Sequence, residues 1–215
     1  MSNFETTYLG LHLKNPLVAA SSGLTSSVEK IKELEKAGIG AVVLKSIFEE
    51  QINNEVSSLL VKEQQNMDYP EAEDYIKGYL RDNSINDHIE LLEESKKVVD
   101  IPVIASINCV SADEWTTFAK DFENAGADAI ELNIFYVPTD RNEKPGVVEQ
   151  LYLDVLKKVK SVVSIPVAVK FGVNHSNIIG MADKLKANGA SGIVMFNRFY
   201  EPDINLETLA QIGRA

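Results

Sequence analysis

The chain has 215 residues, and its composition of 45% apolar and 25% charged residues is typical of a globular domain. Its net charge of −11 argues against a nucleic-acid partner, because phosphates require a basic surface, and no apolar run approaches the roughly 20 residues needed to span a bilayer. Cys109 is the only cysteine, which excludes an intrachain disulfide. No secretory signal is visible at the N-terminus. We therefore expect a cytoplasmic protein without a membrane partner.

Short runs rich in Val, Ile and Ala recur along the chain, and each predicts a β-strand. The expected strands cover residues 16–20, 41–45, 103–107, 129–133, 167–170 and 192–196. Some follow a turn of small residues, as in "KAGIGAVVLKS", and others follow a Val-Val-x-Ile-Pro turn, as in "VVDIPVIASIN". Because the runs are continuously apolar rather than alternating, we expect strands that are covered on both faces, as in a parallel sheet.

Amphipathic helical patterns separate these runs. The helices are predicted over 27–37, 85–98, 112–125, 147–163 and 176–188, and a further helix-like segment covers Leu206–Ile212. Ser26 or Ser27 is the predicted N-cap of the first helix, and Ser111 is the predicted N-cap of the helix at 112–125. The span 47–84 exceeds the ordinary length of a loop, so we predict an insertion or lid on the active-site face. Its acidic stretches, such as "EEQINNE" at 49–55, are interpreted as solvated faces.

The alternation of strands and helices is compatible with a doubly wound sheet or with a (β/α)8 TIM barrel. A doubly wound sheet would favour a Gly-x-Gly-x-x-Gly turn after the first strand, where "SSGLTS" stands instead, and the repeated strand-leading turns suit a barrel. We therefore predict a single barrel domain over residues 1–215 with about six of the eight β/α units. Since six units cannot close the barrel, we expect an N-terminal piece of a chain longer than about 300 residues.

Polar residues follow the predicted strands at the point where each strand ends. In barrels these carboxyl ends build the active site, so we expect the side chains to meet at one polar site. They are Ser21, Ser22 and Gly23; Lys45 and Ser46; Asn108 and Cys109; Asn133 and Tyr136; Lys170; and Asn197 and Arg198.

These residue types suit a planar, electron-accepting ligand. Lys45 and Lys170 could neutralise charge on a cofactor ring or phosphate, and the asparagines can both donate to and accept from a heterocycle. Gly23 allows close approach of the backbone. The alternative for each lysine alone is a surface lysine whose stem covers apolar atoms. Cys109 could be a nucleophile but has no evident partner base, and the dispersed histidines, His12, His88 and His175, form no metal set.

Several stretches, in order along the chain, resemble class 1 dihydroorotate dehydrogenases, which are FMN-dependent (β/α)8 barrels of pyrimidine biosynthesis. "YLGLHLKNPLVAASSG" resembles the N-terminal hairpin and first strand of that family, and "VVLKS" its second-strand lysine. "ELN" at 131–133 resembles the segment before the catalytic loop, "VAVKF" the flavin-lysine strand, and "IVMFN" the sixth strand with its substrate asparagine.

The resemblance implies roles for individual positions. Ser22 and Gly23 would contact FMN through the backbone, and Lys170 would lie near the flavin N1 edge. Lys45, with Ser46 beside it, would lie between flavin and substrate, and Asn133 would bridge the two. Asn197 would bind the pyrimidine. In the family, a hydride passes from substrate C6 to flavin N5 while a Cys or Ser removes the C5 proton.

This sequence departs from the family pattern at two places. Tyr136 occupies the position of the Cys or Ser base, and a tyrosine, with an ordinary pKa near 10, is a more credible acid than base. The family's asparagine-containing substrate loop is not recognisable in the region after the second strand, where Asn83 and Asn86 are the nearest substitutes.

We therefore predict an FMN-dependent oxidoreductase that acts on dihydroorotate or a related cyclic substrate, with Tyr136 and Lys45 as catalytic candidates. One alternative is a non-catalytic, flavin-binding barrel that has lost its base. Another is a Schiff-base lyase or aldolase that uses Lys45 or Lys170, although no partner acid is evident in the sequence. The expected partners are a small-molecule substrate and an electron acceptor that the sequence does not identify, and a homodimer is left open.

Overall fold

The computed structural model of the chain describes residues 4–50, 52, 54, 70–136, 140–198, 201–208 and 211–214. The elements of its first half are β1 Thr6–Tyr8, β2 Leu11–Leu13, β3 Val18–Ala19, a 3-10 helix Gly23–Thr25, α1 Val28–Lys36, β4 Ala41–Val43, β5 Ile47–Phe48, α2 Pro70–Val98 and β6 Val103–Asn108. Those of its second half are α3 Ala112–Asn124, β7 Ala129–Asn133, α4 Val147–Val162, β8 Val167–Phe171, α5 Ile178–Ala187, β9 Gly192–Met195, β10 Glu201–Ile204 and β11 Gln211–Arg214.

The central sheet is parallel, and its strands follow the order β3-β4-β6-β7-β8-β9. This order confirms the predicted strands and their sequential arrangement. The short strand β5 also joins the sheet, where Ile47 pairs with Ile107 at the far end of β6. The sheet curls into a partial barrel with helices on its outer face, so the predicted α/β barrel class is confirmed.

The side chains of each strand alternate between two apolar layers. The outer layer lies between sheet and helices, and each of α1 to α5 contributes a fully buried residue to it, namely Ile31, Leu92, Phe118, Leu156 and Leu185. The inner layer contains Val43, Ile104, Ala129 and Ala168, packed against Leu9 from the turn between β1 and β2. Gly192 on β9 faces this turn, where a Cβ atom would overlap the side chain of Leu9.

Carboxylates stabilise the repeated Val-Val-x-Ile-Pro turns at the amino ends of β6 and β8. Glu35 of α1 accepts hydrogen bonds from the backbone N–H groups of residues 100 and 101, at 2.8 and 3.2 Å. Glu123, the penultimate residue of α3, accepts them from residues 164 and 165, at 2.6 and 3.2 Å, and also from the Ser164 hydroxyl at 2.7 Å. The sequence repeat therefore has a structural basis: each turn presents N–H groups to a carboxylate of a neighbouring helix.

The span 47–84 contains more regular structure than the sequence predicted. Ile47–Phe48 extends the sheet, and α2 begins at Pro70 rather than at residue 85. Gly78 and the run Asp82, Asn83 and Ser84 are poor helix formers that directly precede the predicted start at residue 85, which explains the missed start. Residues 55–69 lie outside the described part, and a lid function for the span stays a prediction.

The helix predicted over Leu206–Ile212 is wrong. The strands β10 and β11 form an antiparallel hairpin in which Ile204 pairs with Gln211. The side-chain oxygen of Asn205 accepts hydrogen bonds from the backbone N–H groups of Glu207 and Thr208, which forms an Asx turn. The turn chemistry of Asn205 and the strand pairing thus override the helical periodicity of this segment.

Candidate active site at the carboxyl ends of the strands

A cavity of about 960 Å³ opens at the carboxyl ends of the parallel strands. All the strand-end residues singled out in the sequence line it: Ser21, Ser22, Gly23, Lys45, Ser46, Asn108, Cys109, Asn133, Tyr136, Lys170, Asn197 and Arg198. The structure therefore brings every strand-end candidate together, whereas Asn83 and Asn86 are exposed on α2 and do not line this cavity. Their individual roles in binding and catalysis stay predictions.

Strand register explains why buried strands end in polar groups. In β7 and β8, alternate residues such as Leu132 and Val169 pack outward against the helices. The intervening positions face inward, and Asn133 of β7 pairs in register with Lys170 of β8. An amide and an ammonium group thus lie side by side at the wall of the cavity, which suits a ligand with both acceptor atoms and negative charge.

A chain of polar side chains crosses the inner face of the sheet beneath the cavity. The hydroxyl oxygens of Ser21 and Ser46 are 3.0 Å apart, and those of Ser46 and Ser106 are 2.7 Å apart. Ser106 Oγ lies 3.5 Å from Glu131 Oε1, which lies 3.6 Å from Lys170 Nζ. Sequence reasoning did not assign Ser106 or Glu131 to the site, although both interrupt apolar runs at inward-facing positions.

Burial dominates the electrostatics of Glu131. The side chain is only 5% exposed, and this desolvation raises the pKa of its carboxyl, while the ammonium of Lys170 and the Ser106 hydroxyl oppose the rise. Tyr8 also lies near this carboxylate, and burial, followed by the charge of Glu131, raises the pKa of Tyr8 to about 12.

The asparagines of the site have different roles in the structure. Asn108 donates to the backbone carbonyl of Asn133 at 2.7 Å, and Asn197 donates to the carbonyl of Ile134 at 3.1 Å. Tyr152 also donates to the Ile134 carbonyl, at 2.9 Å. The Asn133 side-chain oxygen, in contrast, is buried and has no hydrogen-bond partner among the described residues. It is therefore positioned to accept a hydrogen bond from a ligand.

Tyr136 lines the cavity and is 43% exposed. Its hydroxyl donates a hydrogen bond to Glu143 Oε1 at 2.8 Å, and this bond is the largest cause of a raised pKa of Tyr136. The second carboxylate oxygen of Glu143 is buried without a partner in the described part of the chain. The phenol is therefore protonated at neutral pH, which is the form of an acid.

The loop after the first strand is fixed by local hydrogen bonds. Ser22 caps the 3-10 helix: its hydroxyl accepts from the N–H of Leu24, and Thr25 completes a capping box. The ammonium of Lys30 donates to the Gly23 carbonyl at 2.8 Å. The backbone N–H of the exposed Lys45 donates to the backbone carbonyl of Thr25. The backbone of this loop is consequently held at the cavity edge, beside Lys45.

The interpretation of the segment 49–55 as a solvated face is wrong for Glu49. Its carboxylate accepts from the N–H groups of Val110 and Ser111, at 2.6 and 2.9 Å. Ser111 is the N-cap of α3, as predicted, but its side chain makes no capping bond. Glu49 binds the two residues that precede the first turn of this helix. Glu49 therefore positions the loop that carries Val110 along the cavity.

Metal binding is not supported by the arrangement of the described residues. No group of three or more His, Cys, Asp or Glu residues among them could hold a metal ion. His175 packs edge-on against Tyr152 and Phe171, and burial lowers its pKa. In this same part of the chain, no helix is both long and apolar enough to cross a membrane.

The fold and the cavity define an α/β protein of the barrel type with its site at the carboxyl ends of parallel strands. The sequence model of the dihydroorotate dehydrogenase family matches residues 3–214. The chain therefore belongs to the dihydroorotate dehydrogenase family, which confirms the resemblance drawn from its motifs.

Relatives within the family share between a quarter and a third of the residues over the aligned lengths. The catalytic subunit of dihydroorotate dehydrogenase B (NAD(+)) from Thermoplasma volcanium is 30% identical over 204 residues, which cover 92% of this chain and 62% of the relative. Dihydroorotate dehydrogenase A (fumarate) from Limosilactobacillus reuteri is 31% identical over 220 residues, covering 93% of this chain and 64% of the relative. The chain thus spans less than two thirds of the length of these relatives.

Solved structures support the fold. An IMP dehydrogenase/GMP reductase-like protein from Corynebacterium glutamicum superposes with a TM-score of 0.51 at 13% identity, covering 92% of this chain and 49% of that protein. At this identity the similarity concerns the fold alone.

Proposed function

We propose that this chain carries the flavin site of an FMN-dependent oxidoreductase that acts on dihydroorotate or a related cyclic substrate. The observation that carries the proposal is the pair of Asn133 and Lys170, which lie side by side in register at the wall of the cavity. The proposal is also supported by membership of the dihydroorotate dehydrogenase family.

The residues present fit a flavin. The buried Asn133 oxygen has no donor within the described residues and would accept from an N–H of the ring, and the Lys170 ammonium would compensate negative charge on it. Ser22, Gly23, Lys45 and Ser46 complete the set that we expect to hold FMN. When bound, FMN supplies a ring that accepts or delivers a hydride.

The proton chemistry of this chain favours reduction of the substrate. A general base must be deprotonated, whereas the hydrogen bond to Glu143 raises the pKa of Tyr136 and keeps its proton in place. As the neutral phenol, Tyr136 can release a proton to a substrate carbon once its hydroxyl turns away from Glu143 Oε1, to which it donates in this structure. We therefore propose that the site reduces a ring double bond, with Lys45 and Asn197 as substrate contacts.

Two alternatives each have one supporting observation. Because the Tyr136 hydroxyl is engaged with Glu143, the chain could bind flavin without turnover. The Schiff-base alternative lacked a partner acid in the sequence, but Glu131 lies 3.6 Å from the amine of Lys170 and could serve as that acid. Trapping with borohydride and a keto acid tests this second alternative, because borohydride reduces an imine to a stable adduct, which mass spectrometry would locate at Lys45 or Lys170.

The main test is the visible absorbance spectrum of the purified intact protein. We expect a flavin spectrum. If the site reduces ring double bonds, orotate should reoxidise the flavin of the anaerobically reduced protein. The Lys170→Met variant serves as the matched control, since it keeps the stem of the side chain and removes its charge. If FMN binds equally well to both proteins, the assignment of Lys170 to the flavin site is wrong; if neither binds it, the flavin function itself is wrong.

A further inference from the structure

Glu131 lies diagonally across the β7–β8 pair from Lys170, on the side facing away from the candidate active site. Lys170 lines both the active-site cavity and a second cavity of about 490 Å³ inside the sheet, whereas Glu131 lines only the second. Both side chains are largely enclosed, with 14% of Lys170 and 5% of Glu131 exposed. The carboxylate is therefore placed to act on the amine from beneath without contacting a ligand above it.

The surroundings of Glu131 single out Lys170 as its charge partner. The nearby Ser106 and Tyr8 are neutral, and Lys170 is the cation that lies within ion-pair distance of Glu131 in the described structure. A buried carboxylate is costly unless it is paired, and the same holds for a buried ammonium. The two groups are thus mutually dependent.

The polar chain extends this pair toward the cavity edge. Ser106 approaches the carboxylate, and its hydroxyl contacts Ser46, which in turn contacts Ser21. Both Ser21 and Ser46 line the active-site cavity. The Glu131 side chain is therefore held from one side by the Ser106 hydroxyl and from the other by Lys170, which restrains its orientation.

We propose that Glu131 is a positioning residue that holds the Lys170 ammonium at the wall of the active-site cavity and offsets part of its charge. Glu131 thereby sets how strongly this wall attracts negative charge on a ligand or cofactor. The cofactor part of this inference rests on the proposed flavin function, whereas the pairing of Glu131 with Lys170 does not.

The pairing is tested in the protein without added flavin by the rate at which acetic anhydride acylates Lys170, measured by mass spectrometry. In the Glu131→Gln variant we expect acylation at least threefold faster relative to the exposed Lys157, because the carboxylate that holds the Lys170 amine is removed. Glu131→Asp, which keeps the charge, should give an intermediate rate and provides the test if the Gln variant does not fold. Glu90→Gln removes an exposed carboxylate and should leave the rate unchanged. An unchanged rate in both Glu131 variants overturns the inference.

The effect on the cofactor is tested by the affinity for reduced relative to oxidised FMN. We expect Glu131→Gln to raise this ratio at least tenfold, equivalent to about 30 mV for a two-electron couple, and Lys170→Met to lower it. A loss of packing alone would not change the affinity ratio in opposite directions in the two variants. If Glu131→Gln and Lys170→Met shift the ratio equally in the same direction, the inference is overturned. If the wild-type protein binds no FMN, the proposed function fails, and the acylation experiment still decides whether Glu131 acts on Lys170.

Discussion

Replacing Glu123 should destabilise the fold far from the candidate site. The Glu123 side chain is 11% exposed and accepts three hydrogen bonds from residues 164 and 165. Bonds to a charged acceptor contribute about 1.5–3 kcal/mol each, but the released N–H groups are partly hydrated in the variant, so we expect Glu123→Ala to cost about 2–4 kcal/mol. Glu123→Gln keeps a neutral acceptor and should cost about half as much.

The pH dependence of the free energy of unfolding gives an independent estimate of how much the Glu123 hydrogen bonds stabilise the protein. Hydrogen bonds, first that from Lys120 and then those from Ser164, lower the pKa of Glu123 to about 2 from its ordinary value of 4.5. A carboxyl whose pKa is lowered by folding stabilises the protein above the unfolded pKa, and this contribution is lost as the pH falls through the folded one. The shift corresponds to at most about 3–4 kcal/mol before discounting for solvent screening. The stability difference between wild type and Glu123→Gln should therefore be constant above about pH 5 and shrink toward pH 2.

The assay is urea unfolding of the intact protein at pH 7 and at pH 3.5. Glu33→Gln, which removes an exposed carboxylate from α1, is the matched control and should change the free energy of unfolding by less than about 0.5 kcal/mol. At pH 7, Glu35→Gln should lower the free energy of unfolding by less than Glu123→Gln, because Glu35 accepts two hydrogen bonds from the equivalent turn and Glu123 accepts three. If Glu123→Gln unfolds at the same urea concentration as Glu33→Gln, the carboxylate does not stabilise the turn and the reasoning is refuted.

Three further predictions concern the site and the inner layer. Tyr136→Phe should retain FMN but lose at least about tenfold in turnover, as expected when a proton donor is removed; unchanged turnover would leave only packing as its role. Glu143→Gln should move the alkaline limb of the turnover profile to lower pH, because Glu143 raises the pKa of Tyr136, and an unmoved limb would contradict the assignment of that limb to the phenol. Gly192→Ala should lower the free energy of unfolding by about 1–3 kcal/mol through overlap with Leu9, whereas Gly172→Ala meets no atom within 4 Å and should be tolerated in urea unfolding.

The sequence predicted the features that depend on local periodicity. Continuous apolar runs identified the parallel strands, and the polar residues that follow those runs, such as Asn133 and Lys170, identified the cavity. This worked because a parallel sheet aligns the carboxyl ends of its strands at one edge. Position along the strand was therefore sufficient, without knowledge of side-chain contacts.

Features that depend on contacts distant in sequence were missed. Glu49 bonds to residues more than 60 positions away, so an acidic segment gave no sign of its function. Ser106 and Glu131 lie within apolar runs, and their meeting depends on strand register rather than on any motif. The hairpin formed by β10 and β11 replaced a predicted helix for a similar reason, since strand pairing is not encoded in the periodicity of one segment.

The carboxylates of Glu35 and Glu123 bind turns at the amino ends of strands, while Tyr136 and Lys170 lie at or beyond the carboxyl ends. A strand of five residues is about 17 Å long, well beyond the distance of about 7–10 Å at which substitutions usually stop influencing one another. Changes at the two ends should therefore combine additively. A protein engineer could strengthen the turns of this chain first and afterwards alter the chemistry at Tyr136 without having to re-optimise the stabilising substitutions.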